Sequence, residues 1–229
     1  MVILSIEAST EVSSVALMGE SGLISEYSLC SKVKHSRKLL PAIQRILSDQ
    51  DFSMKQVDAV AVSVGPGSFT GVRVSVSTAK GLAFADNKPL IPVSSLLGLA
   101  YGFGGVGLPI CAMLDARKKE VYAGLFRSIN GEMNLISPEV VIAPARFCEC
   151  IKEPTLFVGE GAVKYQSIIK EHLRSFASFV PPSSNLLSAA AVGEVAVQKY
   201  KLGQTVSHES LVPNYIRRPE AEIFYRNRA

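Results

Sequence analysis

The chain of 229 residues has no tryptophan, three histidines and four cysteines. Each scarcity removes a class of chemistry. Of Cys30, Cys111, Cys148 and Cys150, only Cys148 and Cys150 lie close together, and no histidine flanks them. A structural zinc needs four such ligands, so these read as reduced, mostly buried thiols of a cytosolic protein, with no metal expected. His35, His172 and His208 are far apart and form no helical ligand pair. No apolar run reaches the ~20 residues of a membrane span, so no membrane contact is expected. The start, MVILSIEAST, lacks the basic region and cleavage site of a signal peptide and reads as a strand. No dense basic block occurs either. The net charge of +4, from 24 Lys and Arg against 20 Asp and Glu, permits nucleic-acid contact without pointing to it.

Hydrophobic residues make up 48% of the chain and charged residues 19%. That balance is globular, and apolar enough to expect that some surface is buried in a partner. Three short runs, 2–7, 12–18 and 23–29, read as a β-meander. The period then changes: Leu39, Leu40, Ile43, Ile46 and Leu47 share one helix face over residues 36–48, with Pro41 in the first turn or at a kink. A near-continuous apolar run at 57–64 has the look of a parallel strand covered on both faces. A helix at 70–86, a strand at 89–93 and a short helix at 94–101 follow. The stretch GFGGVG at 102–107 is the best boundary, giving domains 1–104 and 105–229. Beyond it the order restarts. Strands are expected at 109–114, 121–126 and 135–142, a short helix at 145–151, a strand and then a turn over 155–161, and helices at 162–173 and 186–202. The class is therefore α/β, two related halves without evident sequence repetition.

Between the fourth strand and its helix lies AVSVGPGSFTGVR, residues 61–73. It fails the P-loop because Val72 and Arg73 follow Gly71, and it fails the dinucleotide fingerprint because Gly65, Gly67 and Gly71 are spaced one residue too wide. The nucleophile elbow fails too, since Ser68 adjoins Gly67 directly. Two readings stay open from the residues alone: a tight strand-to-helix turn capped by Ser68 or Thr70, or an anion site at the helix start. In the helix that follows, Gly71, Ser75, Thr78 and Leu82 make one face, and Val72, Val76, Ala79 and Ala83 the next. One face suffices to cover a sheet, so the second is expected to meet a helix outside the domain.

The segments ILSIEASTEVSSVAL, HSRKLLPAIQRIL, GPGSFTGVRVSVSTAKGLAF, PVSSLLGLA, MLDARKKEVYAGLF and VPNYIRRPEAE occur in the order of TsaB (YeaZ) proteins, which the chain resembles over residues 1–126 and the C-terminal tail. The resemblance implies an actin-like ATPase (ASKHA) fold with a reduced second domain. It also implies a non-catalytic subunit in making threonylcarbamoyladenosine at position 37 of tRNA. The implied partners are the transferase TsaD as a heterodimer, the ATPase TsaE, and tRNA indirectly through the complex, with a homodimer in isolation. TsaD-type enzymes carry a His-x-x-x-His metal pair where this chain has Ser95 and Leu99.

Against that background, Leu39, Ile43 and Leu47 with Val72, Val76, Ala79 and Ala83 are the expected partner interface. Glu7, Ser9 and Thr10 resemble a first phosphate hairpin, with Gly159 opposite. The second hairpin, DARKKE at 115–120, has no glycine, so weak ATP or ADP binding at the subunit interface is the only cofactor the resemblance admits. A glycoprotease-like hydrolase, dependent on a metal or a nucleophile, is the enzyme alternative; it lacks the histidine pair and a nucleophile with a base. A sugar-kinase relative would have to use Asp115.

Overall fold

A computed structural model describes residues 1–30 and 38–217. The first half builds β1 (Val2–Glu7), β2 (Val12–Gly19), β3 (Gly22–Cys30), α1 (Leu39–Asp49), β4 (Ala59–Ser63), α2 (Phe69–Ala85), β5 (Leu90–Val93) and α3 (Ser95–Tyr101). Its five strands form one sheet in the order β3-β2-β1-β4-β5, with β1–β2–β3 antiparallel and β1–β4–β5 parallel. Ile3 to Glu7 of β1 and all five residues of β4 are buried, as expected for central strands covered on both faces.

Alternation along these strands separates two cores. Leu4, Ile6, Val60 and Val62 point to the side covered by α1 and α2. Ile3, Ala59 and Ala61 point to the side covered by α3 and the last helix.

The second half repeats this plan with β6 (Ile110–Asp115), β7 (Val121–Ile129), β8 (Glu132–Ile142), α4 (Pro144–Cys148), β9 (Thr155–Val158), α5 (Glu160–Lys164), α6 (Gln166–Leu173), β10 (Ala177–Phe179) and α7 (Ala189–Lys201). Its sheet order, β10-β9-β6-β7-β8, is that of the first sheet read from the other edge. The duplication inferred from element order is therefore present in the topology. The expected strand and helix positions are met within a few residues, and two features were not foreseen. The short strand β10 carries no distinct run of its own. The helix expected over 162–173 divides at Tyr165 into α5 and α6. Two of the four thiols, Cys30 and Cys150, are exposed rather than buried.

The strands of the two sheets separate at the glycine-rich stretch, but α7 returns to pack on the first sheet: Val192, Val195 and Ala196 join Ile3, Met18 and Ile91 in one core. That core also takes in Ile110, Ala112 and Leu114 of β6, with Leu96 and Leu99 of α3 between the sheets. α3 is thus the floor shared by the two halves. No helix among the described residues is long and apolar enough to cross a membrane.

Candidate functional site

The two halves enclose a cleft of about 710 Å³, lined from the first half by Ser9, Thr10, Gly67 and Ser68 and from the second by Asp115, Arg117, Tyr122 and Glu160. The segments that follow the parallel strands β1 and β4 line it, at the strand ends where open α/β sheets bind ligands.

The glycine loop is a spacer for close packing. A Cβ on Gly67 would stand 2.3 Å from the Ser9 carbonyl oxygen, and one on Gly71 only 1.8 Å from that of Ala8. Both glycines let the start of α2 lie directly on the β1–β2 turn. Ser68 N–H donates to the Ser9 carbonyl at 2.6 Å. The Ser68 hydroxyl, the expected cap, accepts from Gly71 N–H at 3.3 Å. That is capping work rather than nucleophilic work.

Beneath the turn lies a buried polar knot. The Glu7 Oε1 accepts from both the amide and the hydroxyl of Ser9 at 2.6 Å, and the Ser95 hydroxyl donates to Ser9 Oγ at 2.9 Å. Ser63 and Ser95 hydroxyls stand 2.6 Å apart. Glu7 is fully buried, its Oε2 has no hydrogen-bond partner among the described residues, and burial lifts its pKa from 4.5 to about 7 against the opposing hydrogen bonds from Ser9 and Ser63. Among the described residues no basic side chain offsets this carboxyl.

Of the expected phosphate-facing residues, Ser9 and Thr10 do line the cleft, whereas Glu7 sits behind Ser9 out of reach of solvent. Gly159 holds the start of α5 against β6, where a Cβ would come 2.3 Å from the Met113 carbonyl oxygen. Its amide is taken by Asn185 Oδ1 at 2.7 Å. On the opposite wall, Arg117, Lys118 and Lys119 all have positive φ, of 63°, 52° and 62°. The hairpin is tight without glycine, with three consecutive side-chain-bearing residues in a backbone region that favours glycine. Asp115 is engaged: its Oδ2 meets Lys164 Nζ at 2.6 Å and its Oδ1 accepts from Arg117 N–H at 3.2 Å. Burial and the nearby Glu11 carboxylate raise the pKa of Glu160.

Ser95 and Leu99 are both buried on α3. Among the described residues no group of three His, Cys, Asp or Glu side chains is placed to hold a metal. His172 Nδ1 lies 2.9 Å from the Ile168 carbonyl and His208 packs edge-on to Phe84; neither lines the cleft. His35 lies outside the described residues.

The expected partner interface needs correction. Leu39, Ile43, Leu47, Val72, Val76, Ala79 and Ala83 are all at most 8% exposed and belong to the internal core under the first sheet. The stripe chosen as partner-facing is the one that covers the sheet. Ser75, placed with Gly71 on the other face, is fully buried as well. The true outward face of α2 carries Thr70, Arg73, Ser77, Gly81 and Phe84, with Val74 and Leu82 half-buried at its margins, and that of α1 carries Leu40 and Gln44. Small residues at 71, 75, 79 and 83 widen the buried stripe and bring the helix close to the strands. A helical wheel alone could not show that both apolar faces serve one sheet.

Three comparisons with known proteins bear on this architecture. The family model for TsaD, tRNA N6-adenosine threonylcarbamoyltransferase, matches residues 28–225. The tRNA threonylcarbamoyladenosine biosynthesis protein TsaB of Bacillus subtilis (strain 168) is 32% identical over 228 residues, covering 97% of this chain and 96% of the relative. The solved structure of YeaZ from Pseudomonas aeruginosa superposes with a TM-score of 0.81 at 31% identity, covering 93% of this chain and 99% of the other. A ROK hexokinase from Thermus thermophilus, at 10% identity and a TM-score of 0.50 over 87% of this chain and 100% of the other, shares the fold alone. The fold is of the actin-like ATPase class.

Proposed function

The chain belongs to the TsaB (YeaZ) family, and we propose that it serves threonylcarbamoyladenosine formation in tRNA as a non-catalytic subunit that binds the transferase TsaD, with TsaE joining the pair and tRNA reached through the complex. Gly81 carries this reading. It sits in the last third of α2 on the exposed face, and a Cβ there would meet nothing within 4 Å among the described residues. A glycine inside a helix costs about 1 kcal/mol relative to alanine, and no contact among the described residues offsets that cost. With Ser77 one turn before it and Val74 and Leu82 beside it, Gly81 leaves room for the backbone of a partner helix to approach. In isolation the same face would pair with a second copy.

The cleft supports a binding role rather than catalysis. Asp115 is committed to Lys164, Ser68 caps its helix, and neither described histidine reaches them. Among the described residues these engagements favour the binding reading over the hydrolase and kinase alternatives.

The test is reconstitution of the tRNA modification from purified components, with this chain wild-type, omitted, or carrying Ser77→Arg together with Gly81→Arg. Both sites are exposed, so the fold survives. Co-elution with TsaD is lost and modification falls roughly tenfold or more, as expected when a charge enters an interface centre. Full modification without the chain, or unchanged co-elution of the variant, refutes the proposal.

A further inference from the structure

The stretch YIRRPEAEIFYRNRA, residues 215–229, is rich in basic and aromatic side chains, and its described part lies at the mouth of the cleft. Leu211 is buried in the core under the first sheet. Asn214 N–H then donates to the Val64 carbonyl at 2.7 Å, next to the glycine loop. The Tyr215 hydroxyl accepts from Arg73 Nε at 2.8 Å, and its ring lies 5.2 Å from that of Phe69, over which the Arg73 guanidinium is stacked at 3.8 Å. These anchors all belong to the first half. Two residues later, Arg217 reaches the second half: Nη1 donates to the Ala116 carbonyl at 2.5 Å and Nη2 pairs with Glu120. Both acceptors belong to the strained β6–β7 hairpin, whose Arg117, Lys118 and Lys119 hold positive φ.

We propose that residues 211–217 are an intramolecular clamp that sets the opening of the cleft. The two halves share α3 as their floor, so a change of opening is a rotation about that helix, and a tether across the mouth acts at the longest lever arm. A guanidinium is suited to this because its planar fork engages a carbonyl and a carboxylate together, so length and direction are both fixed. In two-lobed folds of this kind domain closure commonly follows a ligand; here the width is held by the chain itself, independent of any ligand and of how the protein engages a partner.

The experiment measures the distance between the halves. Spin labels are placed at Gln44→Cys on α1 and Glu171→Cys on α6, both exposed, with the exposed Cys30 and Cys150 changed to serine. Arg217→Ala lengthens and broadens the distance distribution of the full chain, by roughly 5 Å for a hinge rotation of about 15°. Arg217→Lys gives an intermediate width. Glu120→Gln weakens the same tether from the other half without altering the strap, moves the distribution in the same direction by less, and stands as the test where Arg217→Ala does not fold. A wild-type distribution in folded Arg217→Ala or, failing that, in Glu120→Gln overturns the clamp, even where the melting temperature falls.

Discussion

Glu7→Gln removes a charge from the centre of the first sheet while keeping the shape of the side chain. In the folded protein the carboxyl is sealed under the β1–β2 turn, accepts two hydrogen bonds from Ser9 through Oε1, and leaves Oε2 without a hydrogen-bond partner among the described residues. Burial raises its pKa from 4.5 to about 7. At about 1.4 kcal/mol for each tenfold change in proton affinity, ionising it in place costs about 3 kcal/mol. The sign follows from proton uptake. Below pH 4.5 both folded and unfolded chains hold the proton, and the group contributes nothing. Between 4.5 and 7 the unfolded chain releases it and the folded chain does not, so stability falls as pH rises. Above 7 the full penalty persists. Glutamine has no such dependence. Wild type and variant should therefore be equally stable near pH 4.5, and the variant more stable by about 3 kcal/mol at pH 8.5, which is roughly 6 to 12 °C in melting temperature for a chain of this size. Paired denaturant titrations across that pH range measure the difference directly. A gap that stays constant with pH would refute the reasoning, because it would mean that the carboxyl keeps an ordinary pKa inside the fold.

Val76→Glu with Ala79→Glu puts two carboxylates into the core against Val60 and Val62. Soluble folded protein should be lost, as read by circular dichroism, and a folded double variant contradicts the burial of this stripe. Gly71→Ala sets a methyl 1.8 Å from the Ala8 carbonyl oxygen, so α2 must lift from the turn; unfolding titrations should show a loss of about 3 kcal/mol. Calorimetric titration of the isolated chain with ADP or ATP should show no saturable binding tighter than about 1 mM; micromolar binding would restore the cleft as a working nucleotide site.

Much of the fold is legible along the chain because its signals are local. The meander of three short runs, the doubly buried β4 and the period change at α1 all follow from patterns that span under a dozen residues. The repetition of that order after GFGGVG gives the duplicated halves. β10 escapes because three residues are too few for a period. The cap at Ser68 and the failure of the glycine loop to match any phosphate-binding template are likewise local, and the structure adds their reason: Gly67 and Gly71 are there for contact with Ala8 and Ser9.

What the sequence by itself determined is the class, the element order, the family and the glycine-free turn at 115–120, since each depends on residue identity at short spacing. Only the tertiary structure decided which way the helices face. Val72, Val76, Ala79 and Ala83 looked like a surface for a partner and are instead the inner face of α2, while Gly81 and Ser77 on the outer face drew no notice. The same holds for Glu7, whose pKa depends on what covers it, and for Arg217, whose acceptors lie about a hundred residues back along the chain. Burial and long-range pairing are properties of neighbours in space, and a helical wheel records only neighbours along one helix.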